Sequence, residues 1–432
     1  MPGMSAQELE ARIEKISADI DLQKEVLKKL EHSKAITQRQ LNAVRDPVAR
    51  LPFEISSEIF IQCLPSRPEP GLHHIPMILL NICHTWTEIA LSTPALWAAI
   101  HIVFPRHEGF KEFLQAWLKR AQNRPLSISL HRRFGDDITT TVKKHSQQIR
   151  NLDIYHHSEP EDEQKANVDL LGGLGSLPNL EMLTIRDSGT DGAVGWSYVE
   201  AVEALRLAPN LINCTFHRIL KTYSIPGKAP QHLVHPHLRQ LSFGDRGDYE
   251  HYSSDDHILH HLSLPDLRNL TLSPLFCISD EDLYSFFKRS SPPLQELVMT
   301  DRKYRHQPLR LDACLRLIPT LTRLELWDPQ RDLMEKLFTD LAESPTGFLP
   351  ALRDLSIPRH FITLSWEAML RALSVRRTQI AYFRATKFKK RQSYHDHGAL
   401  GLPPNPLILA AFRELVADGM ELRIGTEEQD FI

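Results

Sequence analysis

No stretch of about 18 consecutive apolar residues occurs in this sequence, so no segment reads as a bilayer-spanning helix. The first residues are too polar for a secretory signal peptide. Cysteine is scarce: Cys63, Cys83, Cys214, Cys277 and Cys314 are odd in number, far apart and each set in an apolar string. That usage fits buried free thiols in a reducing compartment better than a disulfide framework. An excess of either charge is missing too. The formal net charge of −3 argues against general affinity for nucleic acid or anionic membrane. No hydrolase elbow, P-loop, zinc-protease helix or paired-carboxylate constellation appears, so no catalytic residue, cofactor or metal is expected. Together these absences point to a non-enzymatic protein of the cytoplasm, the nucleus or both.

What is present is enough hydrophobic side chain, 42% of 432 residues, for two or three folded units. The first, residues 1–46, reads as one long helix without Gly or Pro from Ser5 to Arg45. Leu9, Ile13, Ile16, Ile20, Leu27, Leu30, Leu41 and Val44 fall on a 4-3 heptad stripe that Gln23, Lys34 and Thr37 interrupt. Such a broken seam supports either a weak coiled-coil homodimer or a helix lying against its own chain. Asp46-Pro47 ends the pattern, because proline disfavours helical geometry in the residue before it.

The second unit, residues 47–104, opens on Leu51-Pro52 and continues with Ile55, Ile59, Phe60 and Leu64 at helical spacing. After a polar, proline-bearing loop from Pro65 to Pro76, a second helical pattern aligns Leu79, Ile82, Cys83, Trp86, Ile89 and Ala90, closed by Pro94-Ala95-Leu96-Trp97. A segment this short has too many large apolar side chains for one small core, so a partner is expected to cover the surplus. Leu-Pro alone would pass as an ordinary helix start. The order of Leu51-Pro52, Glu54-Ile55, Ile59-Phe60, Ile82-Cys83, Trp86, Ile89-Ala90, Pro94 and Leu96-Trp97 resembles an F-box in its fungal variant. What the resemblance implies is contact with the Skp-type adaptor of a cullin–RING ubiquitin ligase through Leu51, Pro52, Ile55, Ile59, Phe60, Leu96 and Trp97, with Trp86 and Ile89 as internal core.

The third unit, residues 111–432, is repetitive. A string Pro-x-Leu-x-x-Leu-x-Leu, with apolar replacements, anchors at Leu180, Leu211, Leu238, Leu267, Leu294, Leu321 and Leu352, at steps of 31, 27, 29, 27, 27 and 31 residues. Ile149 stands one further step upstream, Arg124–Leu130 reads as a leading strand, and Phe412–Ile424 as a closing helix and strand. A period of about 28 residues suits a strand, a turn, a helix and a return, stacked so that each unit covers its neighbour. This looks like a leucine-rich repeat array. It departs from that family in lacking the Asn or Cys eight residues past the anchor, where Ser188, Ile219, Arg246, Leu275, Arg302, Pro329 and His360 stand. Irregular repeats are therefore expected.

Side chains alternate along a strand, so the residues between anchors face outward. The outward rows carry Thr184, Thr215, Ser242, Thr271, Val298, Glu325 and Ser356, and Met182, Asn213, Gln240, Asn269, Glu296, Arg323 and Asp354. Thr and Ser suit any solvated strand face. As a surface, Asn213, Thr215, Gln240, Ser242, Asn269, Thr271, Glu296, Arg323, Glu325 and Asp354 form the candidate docking site for a client protein, since such arrays bind through extended strand faces. Asn213-Cys214-Thr215 and Asn269-Leu270-Thr271 match a glycosylation pattern but read as strand residues. Gly189, Gly192 and Gly195 have the wrong spacing for a dinucleotide loop. His257, His260 and His261 are set aside as a metal site because 22 histidines make such a cluster unexceptional. Arg376-Arg377 and Lys387 to Arg391 read as solvated loop rather than a nuclear-import signal.

The expectation is an α/β chain: a long N-terminal helix, a small all-α F-box-like unit, and an irregular leucine-rich-repeat-like solenoid of parallel strands backed by helices. As the resemblance implies, it would be the substrate-recognition subunit of an SCF-type ligase, holding an unidentified client. The rival is a non-ligase scaffolding protein self-associating through its first helix.

Overall fold

The computed structural model describes residues 6–65, 74–104, 109–131, 136–156, 173–187, 196–217, 219–220, 231–243, 258–272, 280–300, 311–327, 329, 331–360, 365–387, 405–426 and 430–432. Two compact units emerge, residues 1–103 with 107–127, and residues 104–106 with 128–432. Among the described residues no helix is long and apolar enough to cross a membrane.

The first unit begins with α1 (Ala6–Arg45), as its unbroken run of helix-forming residues predicts. Its apolar stripe is exposed throughout. A turn of 3-10 helix (Val48–Arg50) leads to α2 (Phe53–Gln62), which starts straight after Pro52. The second helical pattern is not continuous. It divides into α3 (Ile75–Leu79) and α4 (His84–Leu91), with Cys83 extended between them. Polar side chains explain the break: the Thr87 hydroxyl donates to the carbonyls of Leu80 and Cys83, at 3.0 and 2.9 Å, and Asn81 donates to Met77 at 2.8 Å. The bonds to Met77 and Leu80 satisfy carbonyls that a through-going helix would otherwise use, while the Cys83 carbonyl also accepts the Thr87 amide at the start of α4. A short turn (Pro94–Trp97), β1 (Ala99–Val103) and α5 (Phe110–Arg120) follow. Helix α5 was expected in the repeat section, but it belongs to the first unit, where Trp117 meets Trp97 edge-on at 4.9 Å.

One open parallel sheet takes its twelve strands in chain order. After β1 come β2 (Leu126–His131), β3 (Ile149–His156), β4 (Met182–Asp187), β5 (Asn213–His217), β6 (Gln240–Phe243), β7 (Asn269–Leu272), β8 (Glu296–Thr300), β9 (Arg323–Trp327), β10 (Asp354–His360), β11 (Tyr382–Lys387) and β12 (Glu421–Thr426). The helices described between strands are α6 (Asp136–Lys143), α7 (Tyr198–Leu207), α8 (Asp280–Ser290), α9 (Leu311–Arg316), α10 (Arg331–Glu343), α11 (Trp366–Val375) and α12 (Pro406–Ala417). The leading strand, the start at Ile149 and the closing helix and strand all stand where the repeat period puts them. Asn213 and Asn269 open strands β5 and β7, as read from sequence.

All seven anchoring leucines are fully buried. At about 2 kcal/mol or more for each buried leucine, this column contributes substantially to the unit's cohesion. Polar side chains tie successive repeats as well. In the Pro-x-Leu corner, Asn179 donates to the Gln147 carbonyl at 2.6 Å, Asn210 to Pro178 at 2.8 Å and Thr320 to Leu294 at 2.8 Å. Two arginines do the same from helix ends. Arg289 reaches the carbonyls of Leu259 and Leu262 at 2.6 and 3.0 Å. Arg376, wholly buried, donates to Leu341 at 2.9 Å, Phe348 at 2.5 Å, Leu349 at 3.1 Å and Ser344 at 3.0 Å. Arg376 is thus a structural residue and not part of a solvated basic loop. Burial pulls its guanidinium below the ordinary arginine value, yet a group of that basicity stays charged and fully donating. Lys389 to Arg391 lie outside the described residues.

Candidate functional site

The linker between α1 and α2 shapes the candidate adaptor-binding surface. Asp46, the residue that ends α1, accepts from the Val48 amide at 2.9 Å and from the Trp86 indole N–H, and the Cys83 thiol lies 3.8 Å away. Ser56, buried in α2, donates to the Val48 carbonyl at 3.3 Å, and Phe60 packs on Trp86 with ring centroids 4.9 Å apart. These contacts fix which side of α2 turns inward: Ser56 and Phe60. Its other side follows from the 3.6-residue period. Leu51 is 41% exposed, Phe53 44%, Ile55 51% and Ile59 41%, and Pro52 is exposed beside them. An apolar patch thus stays in solvent on a helix whose Phe60 already fills the core beneath it.

Three of the expected contact residues do not belong to it. Phe60 is 1% exposed and Leu96 and Trp97 are fully buried. Trp97 donates its indole N–H to the Ala90 carbonyl at 2.9 Å, packs on Trp117, and lies under the Arg120 guanidinium at 4.5 Å. Phe60 is enclosed against Trp86, and for the turn that holds Leu96 and Trp97 helix α5 supplies the cover that residues 47–104 alone lack. Trp86, by contrast, is half-buried, and Ile89 is buried as read. Sequence reasoning missed Phe53. Its position directly after Leu51-Pro52 was the available signal, but it lies off the 55–59–60 spacing of the helix.

The strand face carries the candidate client-binding residues. Their register matches the sequence alignment: Met182, Asn213, Gln240, Asn269, Glu296, Arg323 and Asp354 stand side by side on successive strands. Thr184, Thr215, Ser242, Thr271, Val298, Glu325 and Ser356 form the adjacent row. The row extends beyond the repeats recognised in sequence, with Asp153 before it and Arg384 and Arg423 after it. The charged members engage one another. Asn269 donates to Glu296 at 2.8 Å, Arg323 lies 3.3 Å from Glu296 and 3.1 Å from Glu325, and the Trp327 indole donates to Glu325 at 2.7 Å. A client meeting this part of the face meets an internally paired network. Asn213, Thr215, Gln240, Ser242 and Thr271 form its neutral part, and Ser356 is buried in place of being presented.

The remaining sequence features separate cleanly. His260 lies 2.5 Å from Asp282, and His261 stacks on Tyr198 with centroids 5.6 Å apart. Among the described residues no group of three or more His, Cys, Asp or Glu is placed to hold a metal ion. His257 and the glycines at 189, 192 and 195 lie outside the described residues. Cys83, Cys214 and Cys314 are buried thiols outside any disulfide, and burial raises the Cys214 thiol well above the ordinary value. Cys63 is exposed. Comparison with protein-family models gives no match, and comparison with curated proteins gives none.

Proposed function

We propose that this chain is a non-enzymatic recognition subunit of a cullin–RING ubiquitin ligase, taking the Skp-type adaptor on α2 and a client protein on the strand face. The observation that carries the reading is the outward side of α2, where Leu51, Phe53, Ile55 and Ile59 stay exposed although the unit's own core is closed. Leu51, Ile55 and Ile59 coincide with the Leu-Pro start and first-helix positions of the F-box resemblance. The repeat section, with its irregular leucine-rich character, would hold a client near a conjugating enzyme. Its contribution to catalysis is proximity, raising effective concentration at chemistry done elsewhere.

Co-expression with the adaptor tests the reading. Stable co-purification is expected, and Leu51→Ala with Pro52→Ala should weaken it by about tenfold or more, since a few central anchors dominate such interfaces. A well-folded chain that never retains the adaptor would leave the scaffolding alternative in its place.

A further inference from the structure

Helix α1 holds its apolar stripe in solvent along its whole length, and the order of the polar breaks says what covers it. We infer that α1 pairs with α1 of a second copy of this chain as an antiparallel two-stranded coiled coil. This inference goes beyond the adaptor reading and does not rest on it.

The stripe residues are all exposed, including Leu41 and Val44 at the end nearest the rest of the unit. There, Arg39 donates to Asn81 at 2.8 Å. Arg39 lies two residues before Leu41 and five before Val44, on the helix side opposite the seam, so docking leaves the seam open. Orientation follows from matching layers. With Ile13 of one copy opposite Val44 of the other, Ile16 meets Leu41 and Leu27 meets Leu30. Two of the three polar interruptions then fall against each other: Gln23 faces Lys34, where the amide oxygen can accept from the ammonium. Thr37 faces Ile20, and its hydroxyl is already satisfied by the Ser33 carbonyl at 3.0 Å. The flanks are complementary as well, with Glu10 beside Arg45 and Lys24 beside Glu31. Lys24, 3.0 Å from Asp21 in its own helix, can reach both acids. A parallel pair would instead set Lys34 against Lys34 in the seam, with a single attractive flank, Asp19 to Lys24. Buried like charges decide against it.

The full-length chain with Cys63→Ser and Cys277→Ser, carrying a spin label at Ala11→Cys on the outer side of α1, tests both partner and direction. Sedimentation should give twice 49.6 kDa, and Ile13→Ser with Ile20→Ser should give the single-chain mass. Labels should lie about 50 Å apart, from a rise of 1.5 Å per residue; a parallel pair would hold them within about 20 Å. Glu10→Arg should weaken the dimer by about tenfold, and adding Arg45→Glu to the same chain should restore it. A chain that stays single at every concentration overturns the inference. So does a short label distance, a dimer indifferent to Ile13→Ser with Ile20→Ser, or a charge swap without rescue.

Discussion

At the residue scale, the most consequential side chain in the repeat unit is one whose charge suggests surface. Arg376 is enclosed, and its guanidinium is satisfied by main-chain carbonyls and the Gln379 side chain at 3.0 Å. Five donors in a fixed fork suit that corner, where the chain leaves α10 and turns toward β10. Removing them would orphan several buried carbonyl groups at once. Arg376→Met should therefore cost about 3 kcal/mol or more, read from the urea midpoint. Arg376→Lys, with three donors on a narrower head, should fall between. An unchanged midpoint for Arg376→Met would show that water replaces the guanidinium without loss. No motif announces this role. In sequence, Arg376-Arg377 is a pair of basic residues after a helix, and only burial separates the two: Arg377 stays on the surface, 3.5 Å from Asp418.

At the scale of the element, α2 divides its labour by helical phase. Ser56 and Phe60 point into the unit, while Ile55 and Ile59, each one position earlier, point out. Substitutions on the two sides should behave oppositely. Phe60→Ala should lower stability by about 3–5 kcal/mol, because a large buried ring leaves a cavity against Trp86. Ile55→Asp with Ile59→Asp should shift stability by about 0.5 kcal/mol at most while abolishing adaptor capture. Thermal unfolding and co-purification measured on the same samples separate these effects; a double variant that unfolds would place those isoleucines in the core. The helical spacing of α2 was legible in sequence because its residues repeat at three and four. Which side was core was not, since apolar residues occupy both sides and the deciding partners, Val48 and Trp86, come from other segments.

At the scale of the whole chain, stability is built from neighbours. Each strand pairs with the next, so α12 and β12 cover the edge and apolar side that β11 would otherwise present. In β12, Leu422 stands opposite Phe383 and Ile424 opposite Ala385 of β11. A chain ending after Lys387 should expose that edge and its apolar neighbours, and association beyond the pairing of the untruncated chain, seen by light scattering, is the expected result. A monodisperse population in the same oligomeric state as the untruncated chain, with unchanged stability, would show that β11 closes the array unaided.

The amino-acid sequence determined the repeat spacing, the strand register and the order of strand and helix, because each leucine anchor is a local signal recurring at a nearly constant step. It also determined the heptad stripe of α1. Tertiary structure alone decided where the first unit closes and which apolar side chains remain outside it. Trp97 is hidden because α5 returns to cover it, and Leu51, Phe53, Ile55 and Ile59 are left open because Phe60 already fills the space beneath. Burial depends on segments that meet only after folding, and hydrophobicity read along the chain carries no record of that meeting.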